Sequence, residues 1–215
     1  MILYLTEHLN VPLRDRNALL LAAEYAPVYS HRALDDSGSD MKYIQAAIER
    51  LLASHGPYPA FVIDRQWEVV ARNQSSAVLL EDVAADLLIP PVNALRLALH
   101  PSGLAPRIVN FAEWSACLLR RLDHQMLASP DARLAELAIE ARGYPGMAEP
   151  GQEPAGPADR VFVPLRIMIG DREHRFLNMV ATFGTALDVT AAELVIEAFY
   201  PADPMTTQML EGCRT

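Results

Sequence analysis

The feature that most constrains this chain is the period-two alternation filling its last third. Val161, Val163, Leu165, Ile167 and Ile169 alternate with Phe162, Arg166 and Met168. Gly170-Asp171-Arg172-Glu173 carries hairpin chemistry, and Arg175 to Phe183 returns with Leu177, Met179, Ala181 and Phe183 on one face. Leu194, Ile196, Ala198 and Tyr200, set against Glu193, Val195 and Glu197, make a third run. Successive side chains of a strand point to opposite faces, so three such runs in sequence must build an antiparallel sheet and bury one side of it. An apolar run bounded by a turn gives a second β signal earlier in the chain. Ala60-Phe61-Val62-Ile63 is a strand, Asp64-Arg65-Gln66 a turn, and Trp67 to Ala71 the returning strand.

Helical spacing fills the rest. Ile2, Leu3, Leu5 and Leu9 form one apolar stripe, and Pro12 opens a second helix through Leu13, Leu20, Leu21 and Ala23. Val28 to Asp40 reads as a polar connector. Met41 to Ser54 is an amphipathic helix with Ile44, Ala47, Ile48, Leu51 and Leu52 on one face, stopped at Gly56-Pro57. Asn73 stands at a helix N-cap before Ser75 to Leu80, and Asn93 to Leu99 make another short helix. Asn110, with Glu113 three residues on, reads as a capping-box variant opening the longest helix through Phe111, Trp114, Leu118, Leu122 and Met126. Pro130, behind Ser129, starts a helix through Leu134, Leu137, Ala138 and Ala141 that Gly143 closes. Residues 144–159, with Pro145, Pro150, Pro154 and Pro157, read as a loop, and a tail helix follows Asp203-Pro204. The expected fold is α+β: a PAS-like five-stranded antiparallel sheet with helices packed on one face, preceded by N-terminal helices.

Charge narrows the partners. The 215 residues carry 27 Asp and Glu against 18 Lys and Arg, a formal net charge of -9. Such a surface repels phosphate backbones, because non-specific nucleic-acid affinity comes from Lys and Arg displacing counterions. Cys117 and Cys213 lie in no CxxC pattern, so a reducing, cytoplasmic setting is the simpler expectation. The N-terminal apolar run is broken by Glu7 and Arg14, and no window reaches the ~18 apolar residues of a membrane span. Phosphate loops, GxSxG elbows and HExxH spacing are all missing. The reading is of a protein that is not an enzyme and needs no cofactor or metal.

Several separated blocks resemble one family. Ala60 to Asn73, His100-Pro101-Ser102-Gly103-Leu104, Ile108 to Trp114, Thr182 to Thr190, and Glu193 to Asp203 are each similar to the MmyB-like transcription regulator ligand-binding domain. Together they span about Met41 to the C-terminus. Glu7 to Ala23 looks like the end of the helix-turn-helix domain that precedes the sensor in XRE-type regulators, so residues 1–40 are assigned to a remnant of that domain plus connector, and 41–215 to the sensor. The turn and recognition helix of such a domain are not in this sequence, and DNA contact is expected only through that mostly absent module. The resemblance implies an apolar or acyl-chain ligand between sheet and helices, fatty-acid-like molecules among the candidates, and a homodimeric regulator. The alternative is a dimerisation module with no ligand.

Candidate ligand contacts follow. Trp114, Leu118, Leu122, Leu165, Ile167, Met179, Ala181 and Phe183 could line a cavity; plain core packing predicts the same spacing, as it does for Met126 and Met168. Asn178, with Thr182, could orient a head group or face solvent. Arg107 and Asn110 could meet a carboxylate, or serve as a surface charge and a simple cap. Cys117, on an apolar helix face, reads as a buried inert thiol. Asp123-His124 and Asp171, Glu173 and His174 are the acid-histidine groups in sequence.

Overall fold

The computed structural model describes residues 1–34, 38–147, 162–184 and 186–212. The loop reading for 148–159, the strand reading for Val161 and the thiol of Cys213 lie outside them. The N-terminal helices are α1 (Ile2–His8), α2 (Leu13–Ala22) and α3 (Ser39–Ser54). The hairpin strands β1 (Ala60–Ile63) and β2 (Val69–Arg72) come next, then α4 (Ala77–Leu80), α5 (Ala94–Leu99), α6 (Phe111–Ala128) and α7 (Ala132–Arg142). The chain ends with β3 (Leu165–Ile169), β4 (Arg172–Thr182), α8 (Val189–Glu193), β5 (Val195–Pro201) and α9 (Pro204–Gly212). No helix among the described residues is long and apolar enough to cross a membrane.

All five strands join one antiparallel sheet in the order β2-β1-β5-β4-β3, an α+β architecture compatible with a PAS-like sheet. The late strand β5 sits in the centre because its alternation is apolar enough to be covered on both sides. Phe61 and Ile63 of β1 face α4–α7, while Ala60 and Val62, with Ile196 and Leu194, pack against Ile48 and Leu52 of α3. The main helical layer therefore covers one face, and the preceding α3 seals part of the other. Leu165, Ile167 and Phe176 join Trp114 of α6 and Leu210 of α9 in one cluster; Leu95, Leu122, Leu134 and Leu137 make the second, where α7 backs α5 and α6.

Three local readings are corrected. Trp67 is not the first residue of the returning strand: it occupies the turn with φ of 64°, and β2 starts at Val69. The Asp64 carboxylate drives this by accepting from the backbone N–H groups of Gln66 and Glu68, both at 2.9 Å, closing an Asx turn. Helix α7 is capped by Asp131, whose carboxylate accepts from Arg133 N–H at 2.9 Å, so Pro130 lies before the helix. Asn110 makes no side-chain cap either. Its Oδ1 accepts from Arg166 N–H at 3.0 Å and its Nδ2 donates to the Pro164 carbonyl at 2.8 Å, so the side chain ties the start of α6 to the edge of β3. Other sequence signals hold. Asn73 accepts from Ser76 N–H, the short helix expected over Asn93 to Leu99 forms as α5, and Gly170 turns the β3–β4 hairpin with φ of 59°.

Two expectations follow. Serine caps a helix about as well as asparagine, so Asn110→Ser separates tether from cap: as a tether it costs about 1–3 kcal/mol, read as a Tm lowered by several degrees. An unchanged Tm returns Asn110 to a capping role. His174, 3% exposed and with no hydrogen-bond partner for Nδ1 among the described residues, has its pKa pushed below the ordinary 6.5 by burial, with Asp203 opposing and Arg172 assisting. The unfolded chain therefore binds this proton at a higher pH than the native one. Stability is unaffected above about pH 6.5 and falls as pH drops below it, by at most about 1.4 kcal/mol per pH unit. Melting curves of His174→Phe should lose that share of the acid slope, and an identical slope would exclude His174 as its source.

Candidate ligand cavity

Between the sheet and the helical layer lies a partly open hollow of about 80 Å³. Every strand contributes to its floor: Phe61 and Ile63 from β1, Val69 from β2, Leu165 from β3, Asn178 from β4, Glu197 and Phe199 from β5. Leu79 and Leu80 of α4, Ala94, Leu97 and Ala98 of α5, Leu104, and Trp114 and Leu118 of α6 close it from above, and Trp67 enters from the β1–β2 turn. The two alanines leave room that a larger residue on α5 would fill. A second hollow of about 320 Å³ beside β2 shares Phe61, Val69, Leu80 and Leu97 with the cavity and is otherwise lined by residues such as Leu88, Pro90 and Val92.

The polar end of the cavity is built on β5. Glu197 is only 8% exposed; its Oε1 accepts from Nη1 of Arg121 on α6 and its Oε2 from Nδ2 of Asn178 at 2.7 Å. The Arg121 guanidinium lies 4.7 Å over the Trp67 ring, a cation–π contact. The Trp67 indole N–H donates to Gln125 at 2.9 Å, and Gln125 Nε2 donates back to the Arg65 carbonyl at 2.7 Å.

From Arg65 the contacts continue to the N-terminal helices. Its guanidinium donates to the Ser129 carbonyl at 2.8 Å, reaches Asp131 at 3.4 Å and lies 3.8 Å from Glu193 of α8. Glu193 receives both Nε and Nη2 of Arg14 on α2, each at 2.7 Å, a bidentate pair that holds the Arg14 pKa above its ordinary value. Ser129 Oγ donates to Asp15 of the same helix at 3.0 Å. One side-chain network thus runs from the cavity wall to α2.

Of the residues singled out in the sequence, Trp114, Leu118, Leu165 and Asn178 meet at the cavity. Leu122 and Ile167 are fully buried in the clusters beside it. Met179 and Ala181 occupy the opposite, exposed side of β4, Met179 being 60% exposed, and Phe183 packs under α3. Thr182 is exposed at the end of β4. Arg107 lies outside the wall: its Nη2 donates to the Leu79 carbonyl at 2.5 Å, bracing α4, and burial lowers its pKa. Asn110 belongs to the β3 tether. Sequence reasoning missed Trp67, because the turn that aims it inward is visible only as Asp64 three residues earlier. It missed Glu197, because alternation reads a charged residue as solvated unless the strand is known to be central.

Two acids of the acid-histidine groups are held in ion pairs. Asp123 pairs with Arg142, and Glu173 sits between Arg166 and Arg175, which together hold its carboxyl down at about 2. Cys117 is half-buried, and burial raises its thiol pKa. Among the described residues no three His, Cys, Asp or Glu side chains converge to hold a metal ion.

The model of one family, the MmyB-like transcription regulator ligand binding domain, matches residues 44–212, from within α3 to the end of α9. No curated protein matches the chain. The matched span contains the whole sheet and every side chain that lines the cavity. The chain belongs to the MmyB-like transcription regulator ligand-binding domain family.

Proposed function

We propose that this chain is the ligand-sensing part of an XRE-type bacterial transcription regulator and that it binds an apolar small molecule between sheet and helices. The observation that carries this reading is the hollow interior, walled by all five strands and by α4, α5 and α6. Protein interiors are normally packed to crystal-like density, so an apolar void beside a family match to ligand-binding domains supports a guest site. Trp114, Leu118, Leu165 and Asn178 are the sequence candidates assigned to it. The hollow of about 80 Å³ is smaller than the ~150 Å³ engineered cavity that admits benzene. A chain-shaped ligand therefore needs Leu80 and Leu97 to yield toward the adjoining hollow beside β2. That displacement is the conformational difference between empty and filled states, and a ligand shifts the equilibrium only through its tighter binding to one of them.

The route outward is the network from Glu197 and Trp67 through Gln125 and Arg65 to Glu193 and Arg14. Residues 1–40, with α1 and α2, form the connection to the DNA-reading helix-turn-helix module, and the acidic sensor itself contributes little to DNA affinity. Organic extracts of the purified protein analysed by mass spectrometry, with melting shifts over a panel of alkyl compounds, test the reading. Ala98→Leu, which fills the cavity from α5, should abolish the shift while leaving the protein folded. Arg14→Ala should keep the shift but remove the ligand-dependent change in hydrogen exchange of the α2 amides. No retained molecule and no shift across the panel would end the sensing reading.

A second reading, pairing through the N-terminal helices, is favoured by the exposed Leu3, Leu5 and Leu9 around α1 and Leu19 and Leu21 on α2. Sedimentation across concentrations decides it: a dimer weakened by Leu5→Glu with Leu21→Glu is expected, and a strict monomer excludes it.

A further inference from the structure

We infer that the cavity selects a neutral head group that both donates and accepts a hydrogen bond, a primary alcohol or primary amide, over a carboxylate or an amine. This rests on reading the cavity as the ligand site and adds the chemical class of its occupant. The wall is apolar except at one end, where the Asn178 and Glu197 side chains stand together; the indole N–H of Trp67 is already given to Gln125.

Each carboxylate oxygen can accept more than one hydrogen bond. Arg121 takes one position on Oε1 of Glu197 and Asn178 one on Oε2, so accepting capacity remains. The Asn178 amide has two N–H groups and spends one on Glu197. The pair therefore offers an acceptor and a donor side by side, which a hydroxyl or amide matches with both of its functions.

Charge decides against the ionic alternatives. Arg121 neutralises Glu197 and is itself committed there, and it is Glu197 rather than Arg121 that lines the cavity. An anionic head group would be desolvated against a carboxylate, where low dielectric strengthens repulsion. A cationic one would meet a carboxylate already paired, with the guanidinium behind it. The neutral group avoids both costs, and its alkyl tail lies along Phe61, Leu97, Leu118 and Phe199.

Both tryptophans of the chain, Trp67 and Trp114, line the cavity, so intrinsic fluorescence reports its occupancy directly. Titrations of the full chain compare n-decanol, decanoate and decylamine, which share one tail, at about pH 8, where the acid is ionised and the amine protonated. The alcohol is expected to bind at least about tenfold more tightly than either ion, the equivalent of one well-made polar contact. Glu197→Gln removes the charge and keeps an accepting oxygen, so the preference for alcohol over carboxylate should shrink to about threefold or less. Asn178→Leu, which leaves the Arg121 pair intact, should weaken the alcohol without improving decanoate, and it serves if Glu197→Gln does not fold. Decanoate or decylamine binding as tightly as decanol to the wild type overturns the inference, as does an unchanged ratio in a folded Glu197→Gln. If none of the three changes the fluorescence or the melting temperature, the sensing reading falls, and this inference with it.

Discussion

A carboxylate buried on the central strand of a sheet needs a cation or hydrogen-bond donors to offset its desolvation. Glu197 occupies that position on β5, and Arg121 of α6 reaches it. Losing one member of a buried pair typically costs about 3–5 kcal/mol; partial solvent access at Arg121 pulls the figure toward the low end. The pair does more than cancel a charge. It sets where α6 crosses the sheet, and so fixes Trp114 and Leu118 as the roof of the cavity. The same guanidinium covers the Trp67 ring, whose left-handed backbone conformation is uncommon for a residue with a side chain. Ion pair, stacked indole and cavity roof are one arrangement.

The hollow is a cost that this packing carries. At roughly 24 cal/mol per Å³ an 80 Å³ void forgoes at most about 2 kcal/mol relative to a filled core. Few folds have stability to spare on that scale. Larger side chains at Ala94 or Ala98 would recover part of it, yet both positions are small, and the surrounding Phe61, Leu97 and Phe199 are not. A guest that replaces the missing contacts regains that energy, which ties occupancy of the cavity to the stability of the layer above it.

Much of this was legible in the sequence. Period-two alternation located the three late strands and an apolar run with its turn the first hairpin, while the cap at Asn73 and the turn at Gly170 are local chemistry that reads from residue type alone. The faces were harder. Leu177, Met179, Ala181 and Phe183 alternate cleanly, but alternation says only that they share a side of β4, not which layer lies there. The helical layer took the side of Phe176 and Asn178, so the more apolar set was left partly exposed or placed under α3. Glu197 and Trp67 were illegible for a related reason: one depends on β5 inserting between β1 and β4, the other on the turn that aims it inward. Asn110 shows the reverse error, where a residue with strong capping chemistry is captured by a distant strand edge instead.

The strand that carries Glu197 also connects the cavity to the N-terminal helices by a second, shorter path. Glu193 closes α8 four positions earlier on the same segment and holds Arg14 in a bidentate pair, so β5 is joined to α2 along the backbone without passing through Trp67, Gln125 or Arg65. Arg65 lies between the paths, touching Glu193 on one side and bound through its carbonyl to Gln125 on the other. Energetic coupling between distant sites requires an element with two arrangements that both sites bias. The α8–β5 segment is placed to be that element: one end is clamped by α2, the other forms the polar end of the cavity, and α3 on the far face of the sheet restrains it through Ile196 and Leu194. On the proposed reading, a guest that pulls on Glu197 would work against Arg14 and α3 together, so the response at α2 would depend on how tightly the head group is held rather than on how much tail is buried.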